Sequence, residues 1–364
     1  MTNPMTNRER YLATVRFQET DRPVRFEALG ADDNTIIRWQ KEGYQQKGPA
    51  VSFYGDFEFD LVAPVMIGAH IHPGFFPEYQ EKVLEDNGKH KVIQTSAGTI
   101  QEIFSDASMS IPRFLKFPVE NMDDLKKLLP LLNPADHARV DNWKWAFGLA
   151  TGAKWPLFLY VSGCFGFHRH LMGFENLMVA YMENPELIHA MSKAWAALVI
   201  GILERARTHG EIDFLQFWED MSYKNGPMIS PKMFKEFIQP YYKKVCDRAL
   251  ELGVVGLIVD TDGDCKLLIP PFIEAGINHF LPFEVQSGMD VREVRKQYPR
   301  LAITGGLDKR ALAISQQAID AELESKMDFM LERKGYFPSL DHVVPPDVPY
   351  DNWVYFLQKV RSWK

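Results

Sequence analysis

The chain has 364 residues, 46% of them hydrophobic, 13% aromatic and 24% charged, which is enough apolar material for a large core and excludes an intrinsically disordered chain. A formal net charge of -7 withholds the concentrated positive field that nucleic acid or an anionic membrane surface would require. Cys164, Cys246 and Cys265 stand far apart with no CxxC spacing, so neither a disulfide framework nor a thiolate zinc site is indicated, and a reducing cytoplasm is the expected compartment.

The opening stretch "MTNPMTNRERYLATVRFQETDRP" lacks the apolar segment of a signal peptide, and no later run is read as membrane-spanning, so neither export nor an anchor is expected. "PVRFEAL" and "FDLVAPV" are the strand candidates of the N-terminal half. From about residue 67 to 118 the sequence fits no β/α unit, and "VIQTSAGTIQEIF" reads as a hairpin inserted beside the mouth of the fold. Strand-like runs then recur, each followed by a helical pattern: "LFLYVSG", "DFLQFWED", "VVGLIVDTDGD", "NHFLPFE", "LAITGGLD" and "GYFPSLDH". One intervening helix, "ISPKMFKEFIQPYYKKVCDRALELG", carries its own punctuation: Ser230 as cap, Pro231 in the first position, Gly253 at the stop and Pro240 as a kink or division. Eight strands in β/α alternation predict an α/β fold of the (β/α)8 TIM-barrel type, one barrel over residues 1–364 with an N-terminal elaboration and no linker that would divide it.

In such a barrel the chemistry lies at the C-terminal ends of the strands, and there the sequence concentrates carboxylates. Asp260 and Asp262 end one strand, Glu219 and Asp220 another, and Glu284 a third; Asp308 follows "ITGG", and Asp341 with His342 ends the last. Gathering so many acids in one cavity is costly unless protons, cations or a metal offset the charge.

The order of "WEDMSYKNGPMISPKMFKEFIQPYYKKV", "DTDGD", "FIEAGINHFLPFE", "ITGGLDKRAL" and "SLDHVVPPDVPYDNW" resembles the uroporphyrinogen decarboxylase superfamily from about Pro156 to Lys364. That superfamily also contains zinc-dependent methyltransferases that serve corrinoid proteins. The resemblance implies that Asp260, Asp262 and His342 stand at the metal-ligand positions, where the methyltransferases carry His-x-Cys and a second Cys. Carboxylate and imidazole ligands suit zinc or another, harder divalent metal, and a harder centre is better placed to polarise oxygen than to activate a thiol. The expected activity is demethylation of a small O- or N-methylated compound, a methoxyaromatic among the candidates, with transfer of the methyl group to a corrinoid protein. Cobalamin is expected on that partner, because no Asp-x-His-x-x-Gly motif occurs here. Whether subunits pair as a homodimer is open.

The rival reading is a decarboxylase. Asp60 resembles the pyrrole-binding aspartate of the decarboxylases, and His342 falls where their C-terminal histidine sits. Their Arg-Gln-Ala-Gly-Arg segment, which gathers substrate carboxylates, is replaced by "RPVRFEALGADDNTIIRW". A third class is a catalytically silent ligand-binding barrel.

Other candidates follow from position. Glu219 after a strand is an acid/base candidate against a salt bridge to Lys224, with Trp218 and Phe217 beside it as aromatic walls. His168 is a candidate general acid, although on a helix His168 and His170 would face apart. His70 and His72 read as a loop over the mouth, which with "SYKNGP" is expected to frame the opening. Phe283, Glu284, Gly305 and Gly306 complete the expected substrate surround, and Asp308 with Arg310 is expected to form a structural pair.

Overall fold

The structure, a computed structural model, describes residues 4–47, 52–66, 73–104, 112–136, 139 and 143–363. Its centre is a parallel sheet of seven strands: Ala63–Met66, Leu157–Ser162, Phe214–Trp218, Gly256–Asp260, His279–Leu281, Ala302–Thr304 and Tyr336–Phe337, neighbouring one another in chain order. Six lie within predicted runs, and the first extends one residue, Met66, beyond "FDLVAPV". Helices follow the strands and cover the sheet, the architecture of a TIM barrel.

The eighth predicted strand does not form. "PVRFEAL" instead fills the gap between the last strand and the first through single bonds. Asp60 N–H donates to Arg25 O at 2.8 Å on one side, and Ala28 N–H donates to Ser339 Oγ at 3.0 Å on the other. The Glu27 carboxylate takes the Leu340 N–H at 3.3 Å and the Ser339 hydroxyl at 2.9 Å, so a side chain does the work of a strand carbonyl and no ladder develops.

Period-2 alternation separates the two faces of the sheet. Leu157, Leu159, Val161, Leu215, Phe217, Leu257, Val259, Phe280 and Ile303 face the helices and are buried there. Phe158, Phe214, Ile258, Leu281, Ala302 and Phe337 point inward, where Tyr11 and Val15 of the helix Asn7–Val15, together with Val24, plug the N-terminal end of the barrel. Tyr11 stands edge-on to Phe158 and Phe214 and donates its hydroxyl to Asp60 O at 2.9 Å. Higher up the inner face, Tyr160, Gln216 and Trp218 are half-buried although they lie in central strands. Solvent therefore enters from the C-terminal mouth down to Tyr160 and Gln216 and stops at the floor of Phe158, Phe214 and Ile258, each at most 2% exposed.

The predicted hairpin forms as His90–Gln94 paired antiparallel with Ile100–Phe104, within a four-stranded sheet completed by Lys82–Asp86 and Arg113–Lys116. The long predicted helix divides at Ile238 into Pro231–Phe237 and Gln239–Glu251, because Pro240 brings no N–H, and Ser230 Oγ caps it from Met233 N–H at 3.2 Å. The helix Pro185–Arg207 has the length and composition of a membrane span, contrary to the expectation that no run would; most of its apolar residues, among them Leu187, Ile188, Met191, Trp195, Leu198, Val199, Ile202 and Leu203, are buried in the core.

Candidate functional site

Asp262 lies two residues beyond the strand Gly256–Asp260, Glu284 three beyond His279–Leu281, and His342 in the turn after the last strand. These three come from different units, yet their nearest ligand atoms all lie within 4.8 Å of one another. His342 Nε2 stands 3.2 Å from Asp262 Oδ2, and that bond raises the imidazole above its ordinary pKa. Glu284 Oε2 accepts from Gly263 N–H at 3.0 Å and from the Ser287 hydroxyl at 3.4 Å. Gly263 has φ +74°, and a Cβ there would stand 2.6 Å from Ser222 O, so only glycine presents that amide to Glu284.

Two further groups brace the cluster. Asp341, fully buried, accepts from Val285 N–H at 2.9 Å and Lys309 N–H at 3.0 Å, tying together the loops after three strands; burial pushes its pKa up. Lys309 Nζ lies 3.7 Å from Asp341 Oδ1 and 3.9 Å from Glu284 Oε1.

Asp260 sits one layer deeper than a ligand position beside Asp262 and His342 requires. Residues two apart along a strand face the same way but stand about 6.6 Å apart in depth. Asp260 therefore lies inside the barrel with Gln216 Nε2 at 3.4 Å as its side-chain partner among the described residues, while Glu284 stands in the cluster with Asp262 and His342. Burial first, and the charges of Asp262 and Asp220 second, push the Asp260 carboxyl well above the usual range. At the rim Arg169 donates to Asp220 Oδ2 at 3.1 Å and covers the Trp218 ring with its guanidinium 4.8 Å from the centroid; the His170 ring stacks parallel to Trp218 at 5.5 Å. Trp218 thus belongs to the mouth. Asp220 pairs with Arg169, not with Lys224.

Several predicted residues lie elsewhere. Glu219 faces the opposite side from Trp218 and is fully buried: its Oε1 accepts from Tyr242 at 2.5 Å, and its Oε2 from Gly166 N–H at 2.9 Å at the start of the helix Cys164–Met172. A Cβ on Gly163 would stand 2.2 Å from its carboxyl carbon. Glu219 caps that helix, with its pKa pushed up to about 7 by burial, and does not reach the mouth. His168 is buried beside Ser192 Oγ at 3.0 Å and Tyr181 Oη at 3.3 Å, and burial drives its pKa down to about 3; it is a core histidine, not a general acid in the mouth.

Asp60 precedes its strand and so sits at the closed end, held by Arg10 at 3.2 Å and by Arg22 at 2.7 Å. Phe217 packs between Trp195 and Tyr242, and Phe283 against Phe280; neither lines the mouth. Gly305 and Gly306 serve backbone approach, since Cβ atoms there would stand 2.1 Å from Pro282 O and 2.1 Å from Val291 Cγ1. Asp308 and Arg310 do form the expected pair, at 2.6 Å. His70 and His72 lie outside the described residues, and "SYKNGP" forms a short hairpin, Ser222–Tyr223 against Gly226–Pro227. Tyr160 and Gln216, absent from the predicted set, face the chamber; counting by twos back from Trp218 finds Gln216, and its paired neighbour is Tyr160.

Residues 104–363, well over half of the chain, match the family model of uroporphyrinogen decarboxylase (URO-D). Among curated relatives, the uroporphyrinogen decarboxylase of Alcanivorax borkumensis is 26% identical over 223 residues, which are 58% of this chain and 57% of the relative. That of Campylobacter concisus is 23% identical over 215 residues, 58% of each chain. The chain therefore spans little more than half the length of the curated relatives it matches. Among solved structures, a methyltransferase from Methanosarcina mazei covers 98% of both chains with a TM-score of 0.64 at 12% identity, a likeness of fold.

Proposed function

Because this chain belongs to the uroporphyrinogen decarboxylase family, whose members and structural neighbour are enzymes, we propose that it is a methyltransferase that demethylates a small methylated compound and passes the methyl group to a corrinoid protein. The observation that carries this reading is the convergence of Asp262, Glu284 and His342 at the mouth. Around one small ion, tetrahedral ligands at 2.0–2.2 Å stand roughly 3.3–3.6 Å from one another. The donor set, two carboxylates and an imidazole already close to that spacing, fits a divalent metal such as zinc with a coordination position left open. Bound there, the ion would supply Lewis acidity toward the heteroatom carrying the methyl group.

The chain's own residues do the rest. Gly263 N–H and Ser287 fix Glu284, Asp341 locks the loops that carry Glu284 and Lys309, and the half-buried Trp218, Tyr160 and Gln216 wall the chamber in which the donor would lie. A reduced corrinoid on the partner protein would be the acceptor of the methyl group, supplying the electron pair for its transfer, so that the donor's oxygen would keep the pair of the bond that breaks. The oxygen leaves with its own pair and takes a proton from solvent at the open mouth.

Purified without chelator, the protein should hold close to one divalent ion per chain, and with a reduced corrinoid protein and a methylated donor it should build methylcobalamin absorbance. Carbon dioxide release from a carboxylic acid, with no methylcobalamin from any donor class, would establish the decarboxylase reading instead. That reading draws on the family's name and its curated relatives. Against it, Asp60 is committed to two arginines at the closed end, remote from the chamber.

A further inference from the structure

Among the cations that pair with acids at the strand ends, one differs from the others. Arg169 donates to Asp220 Oδ2 at 3.1 Å, Lys266 to Asp264 Oδ2 at 3.2 Å and Arg310 to Asp308 Oδ2 at 2.6 Å. Lys309 opens the helix Lys309–Ile314, where the bond from its own N–H to Asp341 Oδ1 fixes its main chain. Its side chain is 14% exposed, and its ammonium lies between Asp341 Oδ1 at 3.7 Å and Glu284 Oε1 at 3.9 Å. Both distances are too long for a hydrogen bond, and the ammonium makes none to any described residue. An ammonium has three donors, and a largely buried one that spends none of them on the protein is available to a ligand. Glu284 Oε2 is taken by Gly263 N–H and the Ser287 hydroxyl, which leaves Oε1 facing Lys309.

Beside the cluster such a group has a use. A divalent ion held by Asp262, Glu284 and His342 would expel the extra proton that Asp262 favours on the imidazole, and its two charges would offset the two carboxylates. Lys309 is offset in turn by Asp341. The charge left without a fixed partner is the one that develops on the donor's oxygen as it keeps the electron pair of the bond to the methyl carbon. We infer that Lys309 is a catalytic residue whose ammonium hydrogen-bonds that oxygen while the bond breaks and stabilises its developing negative charge. The lysine keeps its own proton, and solvent supplies the one that the oxygen takes up. The inference rests on the transfer reading for the identity of the oxygen, but it is tested by the binding of an oxyanion.

The probe is 4-nitrophenolate, above its own pKa. Calorimetry on the zinc-loaded chain should show it binding, and Lys309→Met should weaken that binding by roughly ten-fold or more. Lys309→Arg, which keeps the charge, should retain more of it than Lys309→Met. Zinc affinity separates this role from that of a brace. Lys309→Met removes a positive charge 3.9 Å from a ligand oxygen and leaves the main-chain bond to Asp341 in place, so it should hold zinc as tightly as the wild type or more tightly. No phenolate binding by the wild type, equal binding by the wild type and Lys309→Met, or a loss of zinc affinity in that variant overturns the inference. If the chain takes up no zinc, the metal reading fails first and this inference with it. If phenolate binding depends on Lys309 but no methylcobalamin forms from any donor, the oxyanion position stands and the transfer reading fails. Methylcobalamin formation with phenolate binding indifferent to Lys309 would leave the transfer reading standing and overturn the role of the lysine.

Discussion

The two ends of the barrel are both rich in carboxylates, but they treat them in opposite ways. At the closed end Asp60 accepts from Arg10, Arg22 and the Arg25 N–H, while Asp213 accepts from Arg8 and the Leu157 N–H. At the mouth, Asp220, Asp260, Asp262 and Glu284 face a common space, where burial and then the charges of Asp262 and Glu284 raise the pKa of Asp220, burial and then the charges of Asp262 and Asp220 raise that of Asp260, and the bond to Asp262 raises that of His342. An acid ringed by guanidinium groups is part of the scaffold; at the mouth Arg169 pairs with Asp220 and Lys309 stands between Glu284 and Asp341, and the converging carboxylates of Asp262 and Glu284 still leave a place for a bound cation. Function is read from the second arrangement.

The sharpest test begins at the closed end. Asp60→Ala leaves Arg10, 3% exposed, with Asp21 as its remaining acidic partner and strips Arg22 and the Arg25 N–H of their shared acceptor, and removal of one member of a buried ionic network costs about 3–5 kcal/mol. Urea unfolding should show that loss, whereas the zinc content of the folded fraction should be unchanged. Loss of zinc with little loss of stability would place Asp60 with the functional groups and erase the contrast.

Glu27 is a third kind of carboxylate, held by neutral donors alone and pushed up to about 8 by burial. A folded-state pKa above the unfolded value of about 4.5 means stability fully present below pH 4.5 and lost as pH rises through about 8. Between pH 5 and pH 7 the wild type should lose on the order of 2–3 kcal/mol relative to Glu27→Gln, which cannot ionise. Parallel pH profiles for the two proteins would mean that Glu27 is charged in the folded state and has a cation or water beside it.

Metal linkage measures the mouth directly. Zinc at ten times its dissociation constant should stabilise the wild type by about 1.4 kcal/mol and His342→Ala not at all, read as a shift in the thermal midpoint. An equal shift in both proteins would move the ion away from His342.

How much of this was legible depended on whether the determining physics is local. The strands could be read because the inner and outer faces of Leu157–Ser162 or Phe214–Trp218 are each apolar over most of their length, and the division at Pro240 because proline lacks an N–H whatever surrounds it. The missing eighth strand was not legible: "PVRFEAL" has a strand's composition, and only the distant Ser339 and Leu340 reveal that the Glu27 side chain supplants the ladder. At the site, strand alternation contained more than was drawn from it. It separates Trp218 from Glu219, and it gives Asp260 and Asp262 one face at two depths. What it could not give is which other strand ends lie level with Asp262, since that depends on the stagger between strands; hence Glu284 was expected as a neighbour of substrate and emerged in the cluster with His342.

The smallest expected effect is the most discriminating. In the metal-free protein Glu284→Gln removes one negative charge from beside Asp220 and keeps a carbonyl oxygen for the Gly263 N–H. Against that relief stands the loss of a loose ion pair with Lys309 at 3.9 Å, and partly exposed pairs contribute at most about 1 kcal/mol. Relief and loss oppose each other, so the net change in unfolding free energy should lie within roughly 0.5 kcal/mol of zero. The same substitution replaces a charged ligand with a neutral one, and the zinc-induced stabilisation should fall away. A group that is nearly silent without metal and decisive with it belongs to a binding site. If instead Glu284→Gln destabilised the metal-free protein as severely as Asp60→Ala, the cluster at the mouth would be scaffold like its counterpart at the floor, and its carboxylates would need no ion to explain them.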